Sequence, residues 1–239
     1  MKVDILAIGA HPDDIELSCS GTLLRHIDAG YTVGLVDLTK GEMGTRGTPE
    51  LRLEEAENAR KLMGAKFRTN LGMADSAFQN DRANQLKIIQ SIRSAQPRIV
   101  LANALKDRHI DHGRAAQLIA DACFLSGLQK IKTTDQSGAV QDRWRPQVVY
   151  FYIQDQQLTP DLVVDITDYI DKKVELIAAF ASQFHDPDSK ELETPLTGED
   201  FFDYMKGKNK VFGRPAGYEY AEGYNVMRTI GSTDLMTLD

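Results

Sequence analysis

The chain is poor in cysteine, poor in tryptophan and short of cations, and it has no long apolar run. Cys19 and Cys123 are its two cysteines, which excludes the disulfide framework of a small secreted domain. Both sit among small or apolar residues and read as reduced, structural thiols. Lys and Arg number 28 against 35 Asp and Glu, giving a net charge of −7. That deficit argues against a surface built for nucleic acid or anionic lipid, while a local basic site for an acidic small molecule stays compatible with it. No apolar stretch reaches the roughly 20 residues of a membrane span. The first one, residues 5–10, is too short for the core of a signal segment and is closely flanked by Asp4 and His11. The expected location is the cytoplasm, with neither nucleic acid nor membrane as partner.

What is present is an alternation of strand and helix patterns. Residues 3–9 form an apolar run broken only by Asp4, the mark of a strand buried on both faces. Residues 15–29 have helical spacing, with Gly30 placed to end the helix. A strand follows at 32–38, then a glycine-rich loop at 40–48. Thr48 and Pro49 open a charged helix that runs to Met63 and stops at Gly64. Further strands are expected at 67–71, 98–103, 148–153 and 162–166, and further helices at 85–95, 111–125 and 168–184. Residues 186–217 are polar, with several Pro and Gly, and read as a long irregular segment within a single domain spanning 1–239. The βαβα order implies an α/β, Rossmann-like fold: a mostly parallel sheet with helices on both faces.

Two clusters carry the chemistry, each directly after a strand. The first is Ala10-His11-Pro12-Asp13-Asp14, and the second is Asp107-Arg108-His109-Ile110-Asp111-His112. In the strand order 3-2-1-4, strands 1 and 4 are neighbours, and ligands bind outside their carboxyl ends. The clusters would therefore meet at one crevice. A catalytic zinc needs about three protein ligands and an open position, and His11, Asp14 and His112 supply two imidazoles and a carboxylate. Asp13 and Asp14 are adjacent, so their side chains diverge, leaving one carboxylate for the metal and one for general-base work. His109 lies three residues before His112, on the same side of a first helical turn. It suits an acid or oxyanion-stabilising role, with Asp111 placed to orient it and raise its pKa. Taken alone, either cluster could be an ordinary turn and helix cap. Their joint placement at two strand ends favours a site.

The remaining histidines read as structural: His26 on a solvated helix face and His185 at a helix C-terminus. The loop 40–48 borders the same crevice and suits a lid. Arg46, Arg52 and Arg108 are candidate contacts for substrate carboxylates, as is Lys106, with surface charge as the plain reading. A dinucleotide-binding module would need Gly-x-Gly-x-x-Gly after the first strand, where this chain has Gly9-Ala10-His11-Pro12-Asp13-Asp14. A phospho-receiver module would need a phosphate-accepting Asp after the third strand. Asp75 is the available candidate, and that reading leaves three histidines without a purpose.

The phrases from Gly9 to Glu16 and from His109 to His112 resemble the motifs of the PIG-L/LmbE-like zinc N-acetylglucosamine deacetylases. Softer phrases resemble the branch acting on N-acetylglucosaminyl-malate in bacillithiol biosynthesis: Asp37-Leu38-Thr39, Gly44-Thr45-Arg46-Gly47, Arg52 with Glu54-Glu55-Ala56, Ser182-Gln183-Phe184 and Tyr220-Ala221-Glu222-Gly223. The likeness extends over almost the whole chain. It implies one zinc ion (Zn2+) held by His11, Asp14 and His112, with Asp13 as general base. It further implies His109 with Asp111 at the tetrahedral intermediate or leaving amine, and Arg52 near the acetyl or malate group. An amino-sugar conjugate as substrate and a homo-oligomer, a hexamer in this branch, complete what the resemblance implies.

Overall fold

A computed structural model describes residues 1–184, 191–234 and 236. Strands β1 (Ile5–Gly9) and β2 (Val33–Asp37) are buried at every position, as unbroken apolar runs are when helices cover both faces of a sheet. β1 pairs in parallel with β2 on one side and with β4 (Ile99–Ala102) on the other. Beyond β2 lies β3 (Phe67–Asn70), and beyond β4 lies β5 (Val148–Tyr152), both parallel. An antiparallel strand, β7 (Ala221–Val226), then joins β5, and β6 (Leu162–Asp165) pairs antiparallel with β7. Among the described residues this makes one seven-stranded sheet in the order β3-β2-β1-β4-β5-β7-β6. The expected 3-2-1-4 core is there, extended on one side.

The period-2 alternation of a strand sends successive side chains to opposite faces. Leu6 and Ile8 pack with Ile88, Ile92, Leu118 and Ile119 of helices α3 (Arg82–Ala95) and α4 (Ile110–Ser126). Ile5 and Ala7 pack with Ile15, Cys19, Leu23 and Leu176 of α1 (Asp14–Asp28) and α5 (Ile170–Ala178). Burial of each such aliphatic side chain contributes about 1.5–3 kcal/mol. The two cysteines belong to these cores as free thiols, and burial pushes the Cys123 thiol up to about 12. No described helix is long and apolar enough to cross a membrane.

The caps follow the sequence for α2 (Pro49–Met63): the Thr48 side chain accepts from Leu51 N, and Gly64 closes the helix at φ 86°. Three expectations are corrected. First, α3 begins one turn before residue 85, because the Asp81 carboxylate accepts from Asn84 N at 2.9 Å and caps it there. Second, the helix expected at 168–184 ends at Ala178. Ser182 donates from both its N and its Oγ to the Glu55 carboxylate of α2, at 2.7 Å each, which draws the chain out of helical register. Third, the segment 186–217 contains a helix, α6 (Phe201–Gly213), whose Phe201, Met205, Asn209 and Phe212 are buried. Its three lysines and Gly207 mask this narrow stripe in the sequence. His185 lies outside the described residues. His26 is half-buried, with Nδ1 at 2.7 Å from Thr22 O.

Candidate functional site

The carboxyl ends of β1 and β4 open into a cavity of about 200 Å³ lined by His11, Asp13, Asp14, His109 and His112, with Arg52, Asp75, Gln154 and Lys208 in its walls. The loop after β1 turns sharply at Asp13, which adopts φ 116°, a left-handed conformation that is costly for a residue with a side chain. That turn separates the two adjacent carboxylates. Asp14, the first residue of α1, lies between two imidazoles: its Oδ2 is 3.5 Å from His11 Nδ1 and its Oδ1 is 3.2 Å from His112 Nε2. Asp13 points instead to Arg52, with 3.2 Å between its Oδ2 and Nη2.

Each imidazole is oriented through its other nitrogen. His112 Nδ1 donates to Asp107 Oδ2 at 2.5 Å. His11 Nε2 donates to Asp75 Oδ1 at 3.2 Å, with Asp111 Oδ2 at 3.5 Å. A carboxylate on the far nitrogen fixes the tautomer and turns the near nitrogen into a ligand. Asp14 is itself held by His11 N and Asn103 Nδ2, at 3.0 Å each, and by Gln154 Nε2 at 2.7 Å. One nitrogen each from His11, His109 and His112 falls within a 4.8 Å group.

These residues fit a divalent metal. Asp14 meets His112 and His11 through different carboxylate oxygens, at 3.2 and 3.5 Å, and the donor atoms that converge within 4.8 Å are those of His11 with His109 and His112 and of His11 with Asp75 and Asp111. Charge agrees as well: Asp13, Asp14, Asp75, Asp107 and Asp111 crowd three imidazoles, and a cation would offset them. Burial opposes charge on His11 and His112, yet Asp14 and the orienting carboxylates outweigh it, raising His11 well above its ordinary value and His112 to about 9. Burial raises Asp13 to about 7, with the Arg52 guanidinium pulling the other way. Burial lowers His109, and the His11 and His112 rings beside it lower it further.

Comparison with known proteins places this arrangement. The family described as PIG-L, GlcNAc-PI de-N-acetylase, matches residues 6–123. An uncharacterized deacetylase of Escherichia coli, YaiS, is 38% identical over 125 residues, covering 50% of this chain and 67% of that one. The chain belongs to the PIG-L family. Membership makes it an enzyme of a deacetylase family, with the fold to match. A conserved protein of Thermus thermophilus superposes with a TM-score of 0.84 at 32% identity, covering 97% of both chains. The N,N'-diacetylchitobiose deacetylase of Pyrococcus horikoshii does so with 0.79 at 25% identity, over 97% of this chain and 88% of that one. Two curated relatives carry more specific names. A 4-oxalmesaconate hydratase of Pseudomonas putida is 27% identical, over 75% of this chain and 74% of that one. A probable N-acetyl-alpha-D-glucosaminyl L-malate deacetylase 2 of Bacillus anthracis is 24% identical, over 75% and 81%.

The structure brings His11, Asp13, Asp14, His109 and His112 together around the cavity and rearranges the other candidates. Asp111 does not orient His109: its carboxylate accepts from Ser76 N at 2.8 Å and Arg114 Nη1 at 2.7 Å. His109 Nδ1 instead accepts from Asp111 N at 3.3 Å, capping α4, and its pKa is lowered rather than raised. Arg46 does not line the cavity: its Nε meets Glu191 Oε2 at 3.3 Å. Lys106 is exposed and likewise outside it. Arg108 stands at the mouth, half-exposed and paired with Asp155. Arg52 is spent on the protein, giving Nη2 to Pro12 O at 2.8 Å and Nη1 to Gly41 O at 3.2 Å. Gly41, at φ 68°, permits this approach, since a Cβ there would collide with the guanidinium.

Sequence reasoning missed Asp75 as a partner of His11, Asp107 as a partner of His112, and Lys208 altogether. Asp107 had a signal, standing five residues before His112 in the same cluster. Asp75 had a weaker one, its position after β3. Lys208 had none, because α6 itself was not visible.

Proposed function

We propose that the chain is a zinc-dependent amidohydrolase that removes the acetyl group from an N-acetylglucosamine conjugate, N-acetylglucosaminyl-malate of bacillithiol biosynthesis being the substrate that fits best. The observation that carries this reading is the division of labour between Asp13 and Asp14, one turned to Arg52 and the other to two imidazoles. His11, Asp14 and His112 would hold the ion, which when bound supplies Lewis acidity and makes water acidic enough to attack an amide at neutral pH.

The chain's own groups do the rest. Asp13 faces the cavity as the carboxylate not committed to the metal set, and it takes the proton of the attacking water. Arg52 holds that carboxylate in place. Its Nε is buried without a hydrogen-bond partner among the described residues. His109, at the start of α4, has its pKa lowered and its Nδ1 accepting from Asp111 N, so as a neutral ring it can donate from Nε2 to the acyl oxygen as negative charge develops there, while Asp13 returns the proton it took to the departing amine. The malate choice draws on the resemblance of the softer sequence phrases, on the Bacillus anthracis relative's name and on cations at the cavity.

The test is acetate release by zinc-loaded protein from N-acetylglucosaminyl-malate beside free N-acetylglucosamine. The reading predicts acetate and a free amine, with higher kcat/KM on the malate conjugate. Because one relative is named as a hydratase, acetate itself is the product to measure. No acetate from either compound would refute the reading.

A further inference from the structure

Three cations line the cavity, and they differ in what holds them. Arg52 is bound by Asp13 and two carbonyls. Arg108 is bound by Asp155. Lys208 has no carboxylate partner among the described residues. Its Nζ rests 3.4 Å from Ile153 O and 5.8 Å from the centre of the Phe212 ring. Its neighbours on α6 behave differently: Lys206 pairs with Asp171 at 3.2 Å and Lys210 with Glu219 at 4.0 Å, both away from the cavity. The helix thus turns one unpaired ammonium into the cavity.

A half-buried cation without a counter-ion is unfavourable until something supplies the charge. Two other atoms of the same wall are also unsatisfied. Ser18 Oγ and Gln154 Oε1 are buried without a hydrogen-bond partner among the described residues, whereas buried polar atoms are ordinarily paired. Ser18 is 3% exposed and Gln154 9%. Gln154 directly follows Ile153, whose carbonyl steadies Lys208, so the cation and one orphaned acceptor share a stretch of wall.

We propose that Lys208 determines specificity by taking a carboxylate on the substituent of the amino sugar, while Ser18 and Gln154 receive sugar hydroxyls. The inference rests on the deacetylase reading above and names the residue that would select a carboxylate-bearing aglycone such as malate. A lone lysine is a point charge without the fork that prefers a doubly bound anion. The cavity is otherwise acidic, through Asp13, Asp75, Asp155 and Glu222, so the group that meets Lys208 is better a carboxylate with one charge than a phosphate with two.

The experiment compares kcat and KM on N-acetylglucosaminyl-malate and on neutral methyl N-acetylglucosaminide for wild type, Lys208→Met, Lys208→Arg and Lys210→Met. Calorimetry with glucosaminyl-malate, the amine product, runs beside it. In Lys208→Met the preference for the acidic substrate should fall about 10- to 100-fold, the ordinary loss for a hydrogen bond to a charged group, mainly through KM. Binding of glucosaminyl-malate should weaken by a similar factor. Lys208→Arg should recover most of both, and Lys210→Met should match wild type. An unchanged preference, or equal losses on the two substrates, would overturn the assignment of Lys208. Absence of acetate release by wild type would instead overturn the deacetylase reading, and calorimetry would still decide whether Lys208 holds the carboxylate.

Discussion

Asp75 Oδ1 lies 3.2 Å from Nε2 of His11, on the far side of the ring from the nitrogen that faces Asp14. The other oxygen, Oδ2, accepts from Met43 N at 2.9 Å, which ties the loop after β2 to the site. Such an outer carboxylate raises the basicity of the ligating nitrogen, and its loss ordinarily weakens metal binding about 10–100-fold. Asp75→Asn keeps the shape and removes the charge. Competition with a chelator should show that drop in affinity; an unchanged affinity would rule out the orienting role.

The backbone at Asp13 gives a second prediction. Its φ of 116° is one that glycine adopts freely and alanine does not. Asp13→Gly and Asp13→Ala both delete the carboxylate, so their difference isolates the strain. The glycine variant should be more stable by about 1–3 kcal/mol in urea denaturation. Equal stabilities would mean that the turn is not strained.

Behind the site, Arg68 is clamped between Glu16 and Asp37 at 2.6 and 2.7 Å, all three side chains buried. Removing one member of such a group leaves uncompensated buried charge, at a cost of about 3–5 kcal/mol. Arg68→Met should lose that much, and adding Glu16→Gln and Asp37→Asn should restore a large part of it. A loss below about 1 kcal/mol, the scale of an exposed ion pair, would contradict the clamp.

Lys208 makes the preference for an anionic substrate dependent on pH. Burial pushes its amine down to about 8; Lys173 adds to that, and Asp107, Asp155 and Glu222 oppose it. A lysine attracts a carboxylate only while protonated, so the attraction is full below that value and lost as the pH rises through it. Because kcat/KM reports groups of the free enzyme, the malate conjugate should show an alkaline limb near pH 8 that methyl N-acetylglucosaminide lacks. Identical profiles for both substrates would refute this.

Much of the fold was legible because its central strands are unbroken apolar runs and its early helices carry explicit caps, such as Thr48 with Pro49 and Gly64. Of the late elements β5 and β6 were legible too, whereas α6 and β7 were not. β7 reads Ala-Glu-Gly-Tyr-Asn-Val, and its buried Glu222 is compensated by Lys173 at 2.6 Å and by Gly21 N and Thr22 N. Those partners are distant in sequence and leave no local period. At the site, residues supplied by two contiguous motifs were visible. Asp75 and Lys208 were not, since each acquires its role from a neighbour that only the folded chain provides. The arginines misled for the same reason: charge alone does not reveal that Arg46 turns to Glu191 and Arg52 to Asp13.

The most direct test of the account is the metal content of Asp13→Asn beside Asp14→Asn, each measured after purification with zinc. The account predicts about one ion per chain in Asp13→Asn, on the single-site pattern of a catalytic zinc, and a large loss in Asp14→Asn. An Asp13→Asn protein that loses its metal while Asp14→Asn keeps it would contradict the assignment of ligand and base.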